Sequence, residues 1–361
     1  MTIAVLEPYY GGSHKAFFDS LAGQLDFNFE FHTMPARKWK WRMRLAAPCF
    51  AEDFRRRPDR GEGVSAILCS PFLDVATFRG LAPACMRQVP VFTYFHENQF
   101  AYPVQVDDQR DFHFSLTNLT TALASDSLAF NSQYNLDSFL AGVEKVLPLI
   151  HDMDLPGYEE KIRRKSVILY PGLDFSEIDQ QEREQEPGKG SSPVIVWNHR
   201  WEHDKNPEFF FKSLFELDAR GVDFSLIVMG QSFRRQPEIF EEARQRLSHR
   251  IIHYGYAESR QEYIRLLKQG DIVVSTANHE FYGISVIEAV RAGCRPLLPN
   301  RLSYPELFDR RFLYEDRDFT GALAALLNEF SFSEDQGRKM TEQFSWSNLQ
   351  AAYHGWLNDC L

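Results

Sequence analysis

The chain has 361 residues, 44% apolar and 25% charged, with a formal net charge of −10; this is a globular composition, too long for one doubly wound domain and suited to two. The acidic balance excludes a surface that binds nucleic acid throughout and leaves that role only to a local basic patch. Five scattered cysteines (Cys49, Cys69, Cys85, Cys294 and Cys360), with no CxxC pair, argue against a disulfide framework and against a zinc site, and fit a reducing, cytoplasmic setting.

Apolar runs at 3–6, 27–31, 66–69, 89–94, 128–130 and 167–169 alternate with helical patterns, notably at 13–24, 112–124 and 135–141. Strands separated by helices predict a parallel sheet covered on both faces. The chain opens on a strand-like run with no basic n-region before a long apolar stretch, so no signal peptide is expected, and no run approaches the ~18 apolar residues of a membrane helix. The segment 176–193 is almost devoid of apolar residues and is expected to be a linker. The alternation then restarts, with strands expected at 194–197, 225–229, 251–254, 272–275 and 295–298 and helices at 207–218, 237–247, 260–268 and 284–292. The tail, 346–361, reads as a helix with Leu349, Tyr353, Trp356 and Leu357 on one side, available to cross back to the first domain. The expected architecture is therefore α/β, with two facing Rossmann-like domains (1–175 and 194–345). Open parallel sheets bind ligands at the carboxyl ends of their strands, so the site is expected in the cleft between the domains.

Chemistry-bearing residues follow several of these strands. Gly11-Gly12 opens the first helix, where a glycine turn can cradle phosphate or admit a sugar; the third glycine of a dinucleotide fingerprint is missing. Arg37, Lys38, Trp39, Lys40, Trp41 and Arg42 mix cations with indoles. From 35 to 60 there are nine basic residues (Arg37, Lys38, Lys40, Arg42, Arg44, Arg55, Arg56, Arg57, Arg60) against three acidic ones (Glu52, Asp53, Asp59). That pattern suits phosphate contact with base stacking; the alternative is a basic amphipathic surface helix with its tryptophans packed inward. His96 and Glu97 end the fourth strand, where they can bond a sugar or orient an acceptor. Asn131 and Ser132 end the fifth.

In the second half, Arg200 and Lys205 sit in the loop after the strand 194–197. Two cations there can neutralise a departing diphosphate; the alternative is a solvated loop. Glu280 and Glu288 stand eight positions apart, one before a helix and one about two turns into it. Tyr282, Gly283 and Ile284 form the helix start, whose free N–H groups can hold a ligand's phosphate. One carboxylate can accept from sugar hydroxyls and the other from a ribose, or both are plain helix-surface charges.

Together, Arg200, Lys205 and the Glu280-x7-Glu288 spacing resemble the retaining family-four-type glycosyltransferases of the GT-B fold. The resemblance implies that Arg200 and Lys205 contact the donor diphosphate, Glu280 the sugar, Glu288 the ribose, and that His96 lies near the sugar. A closer resemblance, to the tRNA-queuosine mannosyltransferase family, is carried by Glu7-Pro8-Tyr9-Tyr10-Gly11-Gly12-Ser13-His14-Lys15, by Pro35-Ala36-Arg37-Lys38-Trp39-Lys40-Trp41-Arg42, by Tyr94-Phe95-His96-Glu97-Asn98-Gln99-Phe100-Ala101-Tyr102-Pro103, and by Phe130-Asn131-Ser132-Gln133-Tyr134-Asn135. It implies GDP-mannose as donor and queuosine in the anticodon loop of tRNA-Asp as acceptor; with Arg200 and Lys205 taking the diphosphate charge, neither metal nor other cofactor is expected. One departure is the bulky Asn198-His199-Arg200-Trp201, where many relatives carry glycine before the arginine. Rival expectations are a lipid, glycan or small-molecule acceptor, a sugar-nucleotide epimerase, and a non-catalytic RNA-binding module.

Overall fold

Apolar residues in unbroken runs, with no polar alternation, require strands buried on both faces. The computed structural model describes residues 1–103, 112–149, 151–152, 154–183, 192–232, 236–315, 318–328 and 331–359. It divides into two units, Met1–Leu173 with Trp346–Leu361, and Asp174–Ser345.

In unit 1, β1 (Thr2–Tyr10), β2 (Asn28–Pro35), β3 (Val64–Cys69), β4 (Val91–Phe95), β5 (Ser127–Phe130) and β6 (Ser166–Ile168) form one sheet in the order β2-β1-β3-β4-β5-β6. Every pairing is parallel. Side chains alternate across it. Ile3, Val5, Phe92 and Tyr94 pack beneath the helices Gly12–Gln24 and Trp346–Asn358. Ala4, Leu6, Ile67 and Val91 pack beneath Trp39–Arg56 and Val75–Leu81.

The final helix joins unit 1 through Trp346, Tyr353, Trp356 and Leu357, all buried. Its polar atoms are matched too: Trp356 Nε1 donates to Ser127 Oγ at 2.8 Å and the Tyr353 hydroxyl to the Tyr170 carbonyl at 2.9 Å. Burying such rings is worth about 1.5–3 kcal/mol each, which explains why this segment leaves unit 2 for a sheet begun far earlier in the chain.

In unit 2, β7 (Val194–Trp197), β8 (Ser225–Met229), β9 (Ile251–Gly255), β10 (Ile272–Val274), β11 (Arg295–Pro299) and β12 (Leu313–Tyr314) form a second parallel sheet, ordered β12-β11-β10-β7-β8-β9. Chain direction across a sheet of this kind reverses at one point, and ligands bind beyond the strand ends there. The reversal lies between β1 and β3 in unit 1 and between β7 and β10 in unit 2.

Two sequence expectations change. The segment from 176 is not wholly linker: Ser176–Gln180 is a helix with Ile178 buried. Asp179 accepts from Arg291 Nε at 2.8 Å, and Arg183 donates to Asp271 at 2.6 Å. Charged residues anchor this stretch where apolar ones are lacking; 184–191 falls outside the described residues. The basic segment from 39 takes the helical alternative only in part: it opens an 18-residue helix, Trp39–Arg56, despite an interior Pro48 that costs a helix one hydrogen bond, but Trp41 does not pack inward.

Candidate active site

The reversal point of the second sheet sets the site in unit 2. After β7 the chain runs through Asn198, His199 and Arg200 to Trp201, which is buried and stacks on Phe240 at 4.3 Å with planes 4° apart. Room for this bulky path comes from the neighbouring strand. A Cβ on Gly230, after β8, would stand 1.8 Å from the His199 carbonyl oxygen. The glycine missing before Arg200 is thus compensated across the sheet.

Lys205 follows in a 3-10 turn and is buried. Its ammonium donates to the His279 carbonyl at 2.7 Å and to Glu280 Oε2 at 3.3 Å, and pairs with Asp204 Oδ2 at 3.1 Å. Backbone bonds tie the two loops together, Asn278 N donating to the Asp204 carbonyl at 2.8 Å. Burial alone would raise the Glu280 pKa, but the Lys205 ammonium, followed by the nearby histidines and the Tyr282 N–H, brings it down to about 2. Burial, and then Lys205, lower His199 and His279 to about 4 each. The site therefore holds an ionised Glu280 and neutral histidines. Arg200 is more open, its side chain 46% exposed and 3.1 Å from Glu202.

Gly283 enters the helix Ile284–Arg291 at φ 102, backbone that glycine adopts without strain. The Tyr282 ring is buried beside Phe344, so a ligand meets this residue through its main chain. Ile284, at the first position of the helix, is partly exposed. Glu288 is largely buried and already engaged: Oε2 accepts from the Tyr263 hydroxyl at 3.0 Å and Oε1 pairs with Arg260 at 2.7 Å. Asn198 closes the circuit, its Nδ2 donating to Tyr263 at 3.1 Å and to the Ser285 carbonyl at 2.7 Å. Lys205 and Glu280 thus meet directly, while Glu288 reaches the β7 loop through Tyr263 and Asn198. The sequence reading missed Asn198, Arg260 and Tyr263, and only the spacing of Arg260 and Tyr263 on one helix face hinted at a joint role.

In unit 1 the two glycines serve different ends. Gly12 has φ 54, while a Cβ on Gly11 would stand 2.4 Å from Ala36 Cβ in the turn after β2. His96 lies against the rings of His14 at 4.3 Å, Phe17 at 4.7 Å and Tyr94 at 4.7 Å, and its buried Nε2 has no hydrogen-bond partner among the described residues. Burial and His14 hold His96 neutral, its pKa well below the usual value. His14 is buried as well; burial opposes its charge, but Glu7, 3.2 Å from Nδ1, and then Glu97 outweigh it and raise the pKa. Glu97 accepts from Gln99 at 3.2 Å. Asn131 and Ser132 are buried in framework roles, Asn131 donating to the His96 carbonyl at 2.7 Å and Ser132 capping the helix Gln133–Val146. The sequence reading had quoted Glu7 and His14 within a family-like motif but gave neither a role.

The tryptophans of Trp39–Arg56 part company. Trp39 is partly buried, 5.0 Å from Phe114, with Lys40 over its ring. Trp41 is 64% exposed. Among the described residues no group of three or more His, Cys, Asp and Glu is arranged to hold a metal, and no helix is long and apolar enough to cross a membrane.

A family model described as "tRNA-queuosine alpha-mannosyltransferase N-terminal" matches residues 2–173, and one described as "Glycosyl transferases group 1" matches 179–343. A tRNA-queuosine alpha-mannosyltransferase of Drosophila melanogaster is 36% identical over 352 residues, covering 95% of this chain and 90% of the relative. The chain belongs to the tRNA-queuosine alpha-mannosyltransferase family. As a member, it is a hexosyltransferase enzyme. Solved structures similar to this family member include the lipopolysaccharide outer core galactosyltransferase WaaB in its apo form, at 12% identity with TM-score 0.69 over 100% of both chains. A second is the sucrose-phosphate synthase of Thermosynechococcus elongatus, at 14% identity and TM-score 0.72, covering 100% of this chain and 99% of that one. At such identities the likeness is one of fold, and the fold is GT-B.

Proposed function

We propose that this family member transfers mannose from GDP-mannose to queuosine in the anticodon loop of tRNA-Asp, with retention of configuration, in the cytoplasm. The observation that carries the reading is the Lys205–Glu280 pair at the reversal point of the second sheet, 3.3 Å apart and buried. A buried ammonium beside a fixed carboxylate offers one group for phosphate charge and one for sugar hydroxyls.

In this reading the donor lies on unit 2. Arg200 and Lys205 take the charge of the departing diphosphate, and Glu280 accepts from the mannose. The main chain at Tyr282, Gly283 and Ile284 faces the phosphates, and Glu288 accepts from the ribose. From unit 1, neutral His96 offers Nε2 to a sugar hydroxyl, Glu97 orients the acceptor, and the Gly11-Gly12 turn admits the donor. The bond between the anomeric carbon and the β-phosphate oxygen breaks as the acceptor oxygen bonds that carbon from the same face. The acceptor's proton passes to the leaving phosphate oxygen. No side chain acts as nucleophile, and the two cations carry the charge that a divalent metal would otherwise take.

The test has two arms. A thermal-shift panel of nucleotide sugars is expected to give its largest rise with GDP-mannose, since a donor that binds only the folded state stabilises it by linkage. Incubation with tRNA-Asp should then give an α-linked mannose on queuosine by mass spectrometry and NMR. Transfer to a lipid, a glycan or a small molecule with none to tRNA, or isomerisation of the donor alone, overturns the reading.

A further inference from the structure

The basic segment does not behave as one unit. Its later cations are neutralised: Arg56 pairs with Glu52 at 3.0 Å, and Arg57 with Glu30 and with Asp59, the latter at 2.9 Å. Among the described residues, Arg37, Lys38, Lys40 and Arg42 have no carboxylate within ion-pair distance. Four of the residues singled out in the sequence, Arg37, Lys38, Trp41 and Arg42, line a cavity of about 380 Å³. Trp41 stands 64% exposed at its wall. Among the described residues the buried Arg42 Nε has no hydrogen-bond partner, and Nη1 reaches the Met34 sulfur at 3.5 Å.

The backbone there is held in an uncommon shape. Lys38 has φ 53, a left-handed conformation costing a non-glycine residue about 1–2 kcal/mol. Arg37 N donates to the Pro35 carbonyl at 2.8 Å. Ala36, in the same turn, is the residue that Gly11 admits. The surrounding structure fixes the turn against its own strain and so fixes the directions of Arg37 and Lys38.

An exposed indole in a concave site ringed by unpaired cations has one well-matched ligand. A base with a free face stacks on the ring while the flanking phosphates meet the cations, whereas a duplex hides its base faces. We propose that Trp41 is a stacking platform for an unpaired nucleotide of the RNA acceptor, and that Arg37, Lys38 and Arg42 grip the phosphates on either side. Trp39 and Lys40 are excluded from the grip and serve to pack the helix start onto Phe114. The proposal rests on the tRNA-acceptor reading and narrows it to one surface and one kind of nucleotide.

The experiment measures binding of the full chain to a hairpin RNA with an unpaired loop, to a blunt duplex of equal length, and to phosphatidylserine vesicles, across a salt series. Steady-state transfer to tRNA is followed alongside. Trp41→Ala is expected to weaken hairpin binding about tenfold and to raise the KM for tRNA similarly with kcat retained, and Trp41→Phe to recover most of the loss. Arg37→Ala, Lys38→Ala and Arg42→Ala should each reduce the slope of log K against log salt by about 0.7, and Arg56→Ala should leave it unchanged. Hairpin binding indifferent to Trp41, duplex binding equal to hairpin binding, or Trp41-dependent binding to vesicles alone overturns the proposal. Wild-type transfer to tRNA with a KM that ignores Trp41 sinks the platform and spares the acceptor reading. Absence of any transfer to tRNA sinks the acceptor reading, while the hairpin result still judges the platform.

Discussion

The carboxyl edges of the two sheets are prepared differently. In unit 2 the charged groups are paired with one another: Lys205 is shared among His279, Glu280 and Asp204, and Glu288 between Tyr263 and Arg260, although Asn198 Oδ1 and Asp204 Oδ2 accept no hydrogen bond among the described residues. In unit 1 the corresponding edge keeps open valences, His96 Nε2 and Glu7 Oε2 having no hydrogen-bond partner and Arg37, Lys38 and Arg42 no carboxylate among the described residues. A network of paired charges holds its geometry before a small ligand arrives, so little reorganisation remains for the reaction. An edge with unused donors and an exposed ring suits a partner too large to be enclosed.

Lys205→Ala attacks the paired network most directly. It leaves Asp204 and Glu280 buried without their cation, so stability should fall by about 3–5 kcal/mol in urea unfolding, with transfer abolished. An unchanged midpoint means that water already shields the pair and that the contrast between the two edges is false. Arg200→Ala sharpens the same point from the opposite side. Arg200 is half exposed, so the unfolding curve should stay nearly in place while kcat drops about 10²–10³-fold.

Acid dissects the network next. Glu280 titrates at about 2 against an ordinary 4.5. A depressed carboxylate contributes stability in full above its unfolded value and loses it as the pH falls through its folded one. Wild type should exceed Glu280→Gln by about 3 kcal/mol near neutrality, the gap closing between pH 4.5 and 2. A gap independent of pH removes the Lys205 pairing from the explanation.

The smallest effect belongs to unit 1. His14 has a raised pKa because Glu7 faces it; such a group stabilises below its unfolded pKa and loses the contribution as the pH rises through the folded one. Glu7→Gln is therefore expected to cost about 1.5 kcal/mol under mildly acidic conditions and less in alkali. The reverse trend in chemical unfolding contradicts a Glu7–His14 ion pair.

Most of the scaffold was legible because a doubly covered strand must be apolar along its length. The central strands followed from that rule; the edge strands β2, β6 and β9, only half covered, were found from shorter or alternating apolar patterns, and β12 escaped with only two residues, Leu313 and Tyr314. The helix Trp39–Arg56 was weighed only as the alternative reading of the basic segment; it runs through Pro48 because tertiary burial of Phe50 and Phe54 outweighs the lost hydrogen bond. Polar composition disguised the helix Ser176–Gln180, which depends on Arg291 in a distant helix. The residues around Glu288 were out of reach for the same reason: Asn198, Arg260 and Tyr263 become neighbours only once β7 and β10 lie side by side. Exposure was equally hidden, since nothing in the order Trp39-Lys40-Trp41 tells which indole faces solvent.

The return of Trp346–Leu361 to the first unit bears on how the protein is made. Domains generally close in the order in which they leave the ribosome. Here the continuous stretch 174–345 can complete itself while the earlier sheet still lacks its cover over Phe92 and Tyr94. The segment synthesised first is thus finished last, and a nascent chain stalled before Trp346 would carry an uncovered aromatic face for chaperones to shield.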